Sequence, residues 1–408
     1  MKKGFWFKTH FIFGMVFGLL LVVIGFSGAM LSYRQDITQF LNKESFEVKE
    51  DTHSLTPEKL IERFLEQKPD AVINSVTISS SKTASATINT ADPNGGRRGV
   101  VYYVNPYTAE ILPNIKEGSF FMINLTLHRA LSVGSMSVIG KNIVAISTIV
   151  LIVLSISGLI LYWSRLKRNF FKSLKVDFKR NGYAFLYQLH SALGVWVFLL
   201  YIWMSLTGLY WSYGWYRTML YSIAGVEQPV RGMMPPMQNQ TQNSEQNQRG
   251  GLGFGNQTRG ERAQGEGFAR GMGQNQENIK QNKNQNNFQN LDNAFDFFKQ
   301  SVNNDYSTVT LRNDTNGVYN FNYRDKEPAH SRANNQIEFN LNKQEIISNT
   351  KYNDKSLGEK LMSSMLPLHS GEYFGKVGLF LMFISSLILP LFMITGVMLF
   401  FKRYKKVK

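Results

Sequence analysis

Apolar residues gather in four long runs, at 11–33, 142–163, 190–213 and 377–401, and none of these contains Asp, Glu, Lys or Arg. Each is long enough to cross a bilayer, whose hydrocarbon core of roughly 30 Å needs about 20 helical residues. The first is too long for a signal-peptide core and no A-x-A site follows it, so it reads as a retained span. Between the runs the pattern changes. After residue 33, Thr56-Pro57-Glu58 opens a helix that continues through LIERFLEQ, with Pro57 at the first helical position. VINSVTIS, SATINTA and GVVYYVN predict three strands, and NPYTAEIL a turn into a last short strand. FFMINLTLHRAL, at 120–131, is amphipathic and is placed at the outer membrane surface, before Gly134 and Gly140 turn the chain into the second span. Beyond the third span, a Gln/Asn/Gly/Arg tract at 235–290 has too few apolar residues to bury a core and is expected to be disordered. DNAFDFFKQSV then predicts a helix, and STVTLRN, GVYNFNY and QIEFNLN three strands, a diverged copy of the first outer segment.

The expected fold class is an α-helical membrane protein with four transmembrane helices in two parallel repeats and two extracytoplasmic α+β domains. Its segments are 1–33 (span one), 34–133 (first outer domain and interfacial segment), 134–164 (span two) and 165–186 (a basic loop). Then come 187–216 (span three), 217–368 (second outer domain with the 235–290 insertion) and 369–408 (span four and a basic tail). Mean hydropathy is only −0.19, because the polar tract dilutes the apolar runs.

Charge fixes the orientation. Lys2, Lys3 and Lys8 precede span one; seven basic residues from Arg165 to Arg180 fill the loop after span two; Lys402, Arg403, Lys405, Lys406 and Lys408 close the chain. By the positive-inside rule all three clusters, and so both termini, are cytoplasmic, with the long connections outside. Much of the formal +16 is this topology signal, which argues against a nucleic-acid partner and leaves membrane lipid as the surrounding one. With no cysteine, the chain has no disulfide, iron–sulfur cluster, thiolate-bound haem or c-type attachment.

Spans one and three repeat each other at identical offsets. His10, Gly14, Ser27-Gly28 and Ser32-Tyr33 correspond to His190, Gly194, Thr207-Gly208 and Ser212-Tyr213. Spans two and four carry Ser157-Gly158 and Thr395-Gly396, and each is preceded by a Leu-His pair, Leu127-His128 and Leu368-His369. Both halves start on the same side, which implies a pseudo-two-fold axis along the membrane normal. His10 and His190 form a cytoplasmic-side pair and His128 and His369 an outer pair. Each pair is a candidate to ligate one haem from opposite faces, giving two bis-imidazole b haems, six-coordinate and suited to electron transfer. Gly14 and Gly194 would let a macrocycle lie against the backbone. Arg129 and Arg34 are candidate propionate partners, the aromatic residues from Tyr210 to Tyr216 an interfacial belt, and His53 and His330 ordinary surface residues. Competing readings stand beside this one. Interfacial histidines can anchor headgroups; the outer pair could hold zinc or copper, though no carboxylate or Cys is spaced to complete it. A transporter is disfavoured by uncharged spans, and a tethered binding scaffold predicts no chromophore.

HFIFG at His10, TLHRALSVG at His128, LHSALG at His190, PLHSGEYFG at His369 and the segment ending VVYYVNPYTAEIL resemble the PepSY-associated transmembrane proteins, often described as iron-regulated membrane proteins, over nearly the whole chain. The resemblance implies PepSY-like outer domains, a bacterial inner-membrane location, and a di-haem reductase of ferric siderophores in the periplasm serving iron acquisition. It carries the haem-ligand role to His10, His128, His190 and His369. The 235–290 insertion and Ala109, where such turns usually carry glycine, depart from that pattern. No flavin or nicotinamide site is visible, so the electron donor is expected to be a quinol or a cytoplasmic reductase.

Overall fold

The computed structural model describes residues 3–94, 99–115, 118–132, 138–229, 288, 290–312 and 317–405. The tract at 235–290 lies outside these residues except at Phe288 and Asn290, as does the turn expected at Gly134. In chain order the helices are α1 (Lys3–Ser32), α2 (Arg34–Leu41), α3 (Lys43–Phe46), α4 (Pro57–Gln67), α5 (Gly118–Ala130), α6 (Val138–Arg168) and α7 (Phe170–Ser173). They continue as α8 (Gly182–Ser212), α9 (Gly214–Ala224), α10 (Leu291–Ser301), α11 (Leu357–Ser363), α12 (Met365–Ser370) and α13 (Gly375–Lys405). The strands are β1 (Ile73–Ser79), β2 (Ala86–Thr90), β3 (Val100–Val104), β4 (Thr308–Leu311), β5 (Val318–Arg324), β6 (Asn335–Asn340) and β7 (Glu345–Thr350).

Among the described residues, four helices are long and apolar enough to cross a membrane: Gly4–Ser32, Val138–Arg168, Gly182–Ser212 and Glu372–Lys402. They close into a ring in which α1 packs on α6 and α13, and α8 packs on the same two. Their outward faces carry exposed Ile12, Val16, Leu19, Trp196, Leu199 and Phe380, a surface suited to lipid rather than water. Close approach is set by small residues. A side chain at Gly18 would collide with Met393 of α13, and one at Gly25 with Leu389. At mid-depth Leu21, Val197, Tyr201 and Leu389 form a buried cluster, and the Tyr201 hydroxyl donates to the Ser385 carbonyl at 2.8 Å.

Outside the bundle lies one antiparallel sheet in the order β3-β2-β1-β4-β5-β6-β7. The two outer segments therefore do not stand apart, because their first strands pair with each other. Val76 faces Leu311 and Val309 faces Ile78, a register symmetric about Thr77 and Thr310, whose hydroxyls meet at 3.0 Å. The helices on the sheet obey the same symmetry. The Glu58 backbone N–H donates to the Asp292 carboxylate at 2.8 Å and the Asp292 N–H to that of Glu58 at 3.2 Å, so each helix receives an acid at its N-terminus from the other. Such caps are worth about 1 kcal/mol each. Beneath them α4 buries Leu60, Ile61 and Phe64, α10 buries Leu291, Ala294 and Phe298, and one core joins both to the sheet.

The helices and strands expected between the spans mostly fall within a residue or two of their predicted ends, while the membrane helices begin two to eight residues before the apolar runs. The strand expected after NPYTAE is only a bridge from Val104 to Ile111, and Ala109 takes a left-handed φ of 62° while fully buried. β7 was not expected. Every residue in it is exposed, so it carries no burial alternation, and it exists through its pairing with β6 at the sheet edge. His330, expected at the surface, is 5% exposed. Its Nδ1 accepts the Arg332 N–H at 3.1 Å, so Nε2 carries the proton and faces Ser364 Oγ at 2.9 Å and Tyr352 Oη at 3.1 Å. Burial holds its pKa below the ordinary histidine value, with Glu372 opposing. His53 is exposed, as expected.

Candidate functional site

The four repeat histidines meet in two pairs. His10 and His190 have ring centroids 6.2 Å apart at one level of the bundle, and His128 and His369 6.1 Å apart at the other. Eighteen residues of α1 separate His10 from Gly28, against which His128 rests, a rise of about 27 Å. The same spacing on α8 separates His190 from Gly208, the seat of His369.

Each imidazole is oriented by a helix within its own half of the chain. His10 Nδ1 lies 3.0 Å from Ser157 Oγ and 3.1 Å from the Leu154 carbonyl. His190 Nδ1 lies 2.8 Å from Thr395 Oγ1, and His369 Nδ1 3.0 Å from Thr207 Oγ1. His128 Nδ1 lies 2.9 Å from the Ile24 carbonyl. A carbonyl only accepts, and the three hydroxyls already donate to Leu154, Leu391 and Trp203 carbonyls one turn back. Nδ1 is therefore the protonated nitrogen in His10 and His128, and in His190 and His369 when the threonine hydroxyls keep those carbonyls, which leaves the Nε2 lone pair for a ligand. A histidine that binds metal through Nε2 needs this tautomer, and an acceptor at Nδ1 usually fixes it.

The Ser/Thr-Gly pairs of the sequence are thus histidine seats as well as packing sites. A Cβ at Gly28 would lie 2.8 Å from His128 Cε1, one at Gly208 3.1 Å from His369 Cε1, and one at Gly158 3.2 Å from His10 Cε1. Gly396 is looser, at 3.8 Å from His190 Cε1. The orienting hydroxyls of Ser157, Thr207 and Thr395 were not assigned from the sequence, although the shared offsets of these pairs and the histidines are the signal that links them.

α5 brings in His128 by packing on α1 and α6; α12 brings in His369 by packing on α8. α12 ends at Gly371 with φ 86°, where a side chain would strike the Gly378 backbone, so the chain can double back tightly into α13. Trp211 flanks His369 at 5.5 Å and Phe392 flanks His190 at 5.2 Å. Burial lowers the pKa of both outer rings, His369 to about 4, which keeps them in the neutral form that binds metals. Arg34 lies over the Phe121 ring and Arg129 is exposed.

Two features bear on what each pair can hold. Imidazoles bound through Nε2 to opposite sides of one metal, with bonds of about 2.0 Å, have centroids about 6.3 Å apart, and both pairs match that separation. No group of three or more His, Asp or Glu converges among the described residues, so neither pair has the ligands of a closed tetrahedral site. Gly14 and Gly194 are also unlike the packing glycines. A Cβ there would meet nothing closer than 3.9 Å, so protein packing does not require glycine at either position.

Residues 7–403 match the PepSY-associated TM region. The chain belongs to that family. The PepSY_TM match spans all four membrane helices, the sheet and all four histidines, so both pairs lie within the family's own region. A search of the curated proteins found no match.

Proposed function

We propose that this PepSY_TM protein is a di-haem transmembrane electron carrier that reduces ferric chelates, ferric siderophores among them, outside the bacterial cytoplasmic membrane for iron acquisition. The observation that carries this reading is the pairing itself: two imidazoles per level, from different halves of the chain, with Nδ1 committed, Nε2 free and centroids set for one six-coordinate metal. Haem b supplies a reversible one-electron Fe(III)/Fe(II) couple at each level when bound. His10 and His190 hold the inner group, and His128 and His369 the outer one. Ser157, Thr395, Thr207 and the Ile24 carbonyl fix ring orientation and raise ligand basicity. The bundle's apolar middle, around Leu21, Val197 and Leu389, excludes water between the levels. The halves are read as parallel repeats and the sheet as two fused PepSY-like domains on the periplasmic side, with both termini cytoplasmic as the basic clusters require. A quinol or a cytoplasmic reductase supplies one electron per ferric ion. Reduction to Fe(II) weakens hard oxygen chelation and frees the metal.

Gly14→Ala and Gly194→Ala test the slot. The protein has room for the added methyl, and alanine favours a helix by about 1 kcal/mol. An extra methyl in a slot already filled by a macrocycle costs about 1–3 kcal/mol. Expected is a fold of equal or higher stability that retains inner haem about tenfold less well, read by haem titration.

Proteoliposomes with a trapped reductant test the function. Ferric chelate outside should be reduced only when the protein is present, and His128→Ala should abolish this. Transfer that persists in His128→Ala, or none in the parent, refutes the reductase assignment.

A further inference from the structure

The sheet covers one face with α4 and α10, and Gln35 of α2 reaches the other. Alternation sends Val76, Val309, Leu311 and Phe321 into the core. Thr77, Thr310, Asn322 and Arg324 take the opposite face, where with Gln35 and Arg332 they line a cavity of about 360 Å³. Gln35 places it. It stands seven residues beyond Gly28, the seat of His128, on α2, which follows α1 after the break at Tyr33. A second link runs from the cavity to the other outer histidine. Arg324 Nη1 donates to the Ser331 carbonyl at 3.0 Å, and the Ser331 N–H to Glu372, three residues after His369.

Two guanidiniums, offset in part by the neighbouring Glu372 carboxylate, and several donors line the cavity. Arg324 Nε donates to Thr308 Oγ1 at 3.0 Å, which, with the Nη1 bond to Ser331, pins the guanidinium. Neither Arg324 nor Arg332 forms an ion pair among the described residues. A planar fork held in place, with a second guanidinium nearby, suits carboxylate oxygens.

We propose that this cavity docks an anionic, carboxylate-bearing ferric chelate, with Arg324 and Arg332 holding its charge and Thr77, Thr310 and Asn322 contacting its oxygens. The assignment rests on the electron-transfer reading and deepens it, since the cavity is tied through Ser331 and Glu372 to the segment that carries His369. A haem propionate offers the same carboxylate chemistry, so the test must separate the two.

Gallium(III) citrate, which is redox-silent, is titrated calorimetrically into the full-length protein and into Arg324→Gln and Arg332→Gln. Each variant should bind about tenfold more weakly, the loss of one charge-assisted hydrogen bond, with haem content and spectrum unchanged. In parallel, dithionite-reduced protein is reoxidised by ferric citrate, which should slow in both variants, and by the cation hexaammineruthenium(III), which should not. Arg332 is exposed, so its variant keeps the test decisive if Arg324→Gln fails to fold. No gallium citrate binding by the parent, equal binding by the variants, or equal slowing with both oxidants overturns the proposal. Loss of the outer chromophore in the variants also overturns it, by making the arginines propionate partners. A colourless protein refutes the electron-transfer reading alone, because the gallium titration still judges the cavity.

Discussion

His10→Ala and His190→Ala are each expected to lose the same inner haem and to keep about one of two, and the double variant is expected to lose no more. The ring centroids lie 6.2 Å apart on helices that belong to different halves, so in the proposed di-haem arrangement removing either would leave one axial ligand of two. His128→Ala and His369→Ala should remove only the outer haem, for the same reason at 6.1 Å. Non-additivity within a pair and independence between pairs distinguish two separate sites from one shared site. The rise of about 27 Å between levels leaves no residue in contact with both. Without the inner haem, a donor on the cytoplasmic side should fail to reduce the outer one, while dithionite added outside still succeeds. Absorption spectra of the four variants and two doubles, taken with total haem by pyridine haemochrome, check this. Bleaching of the haem that depends on His128 when His10 is removed would refute the pairing.

Phe298→Ala carries the largest expected effect on stability. Phe298 is fully buried at the centre of the outer domain, with Tyr306 and Tyr323 ring centroids at 5.3 Å and Phe321 at 5.9 Å. Truncating such a ring costs about 3–5 kcal/mol. Because β1 and β4 share a ladder and α4 and α10 cap each other, the loss should reach both outer segments. Hydrogen exchange should therefore accelerate by two to three orders of magnitude, roughly, in peptides from β1 and β2 as well as β5 and β6. Loosening confined to β4–β6 would mean that the segments unfold as separate domains.

Much of this arrangement was legible in the sequence. Four uncharged apolar runs have no stable place outside a membrane, and with only six histidines the repeated offsets of four of them stood out. Pairing followed from topology alone, and the structure brings together the same pairs. Features that depend on contacts between distant segments were not legible. β7 shows no periodicity because neither of its faces is buried. The join of β1 to β4 depends on a register across more than 200 residues that no local pattern encodes. His330 sits in a polar stretch that reads as loop, and its burial comes from Tyr352 and Ser364 closing over it later in the chain. The seats of the histidines were visible as Ser/Thr-Gly pairs, but which ring each would receive required the helices to be packed.

The di-haem proposal requires each histidine pair to bind one b haem through both imidazoles. The most direct measurement is the haem content and the oxidised and dithionite-reduced spectra of protein purified from haem-replete cells. Expected is a red protein with about two haems b per chain and low-spin, six-coordinate bands in both oxidation states. A colourless preparation, or a five-coordinate high-spin spectrum at both levels, would contradict it.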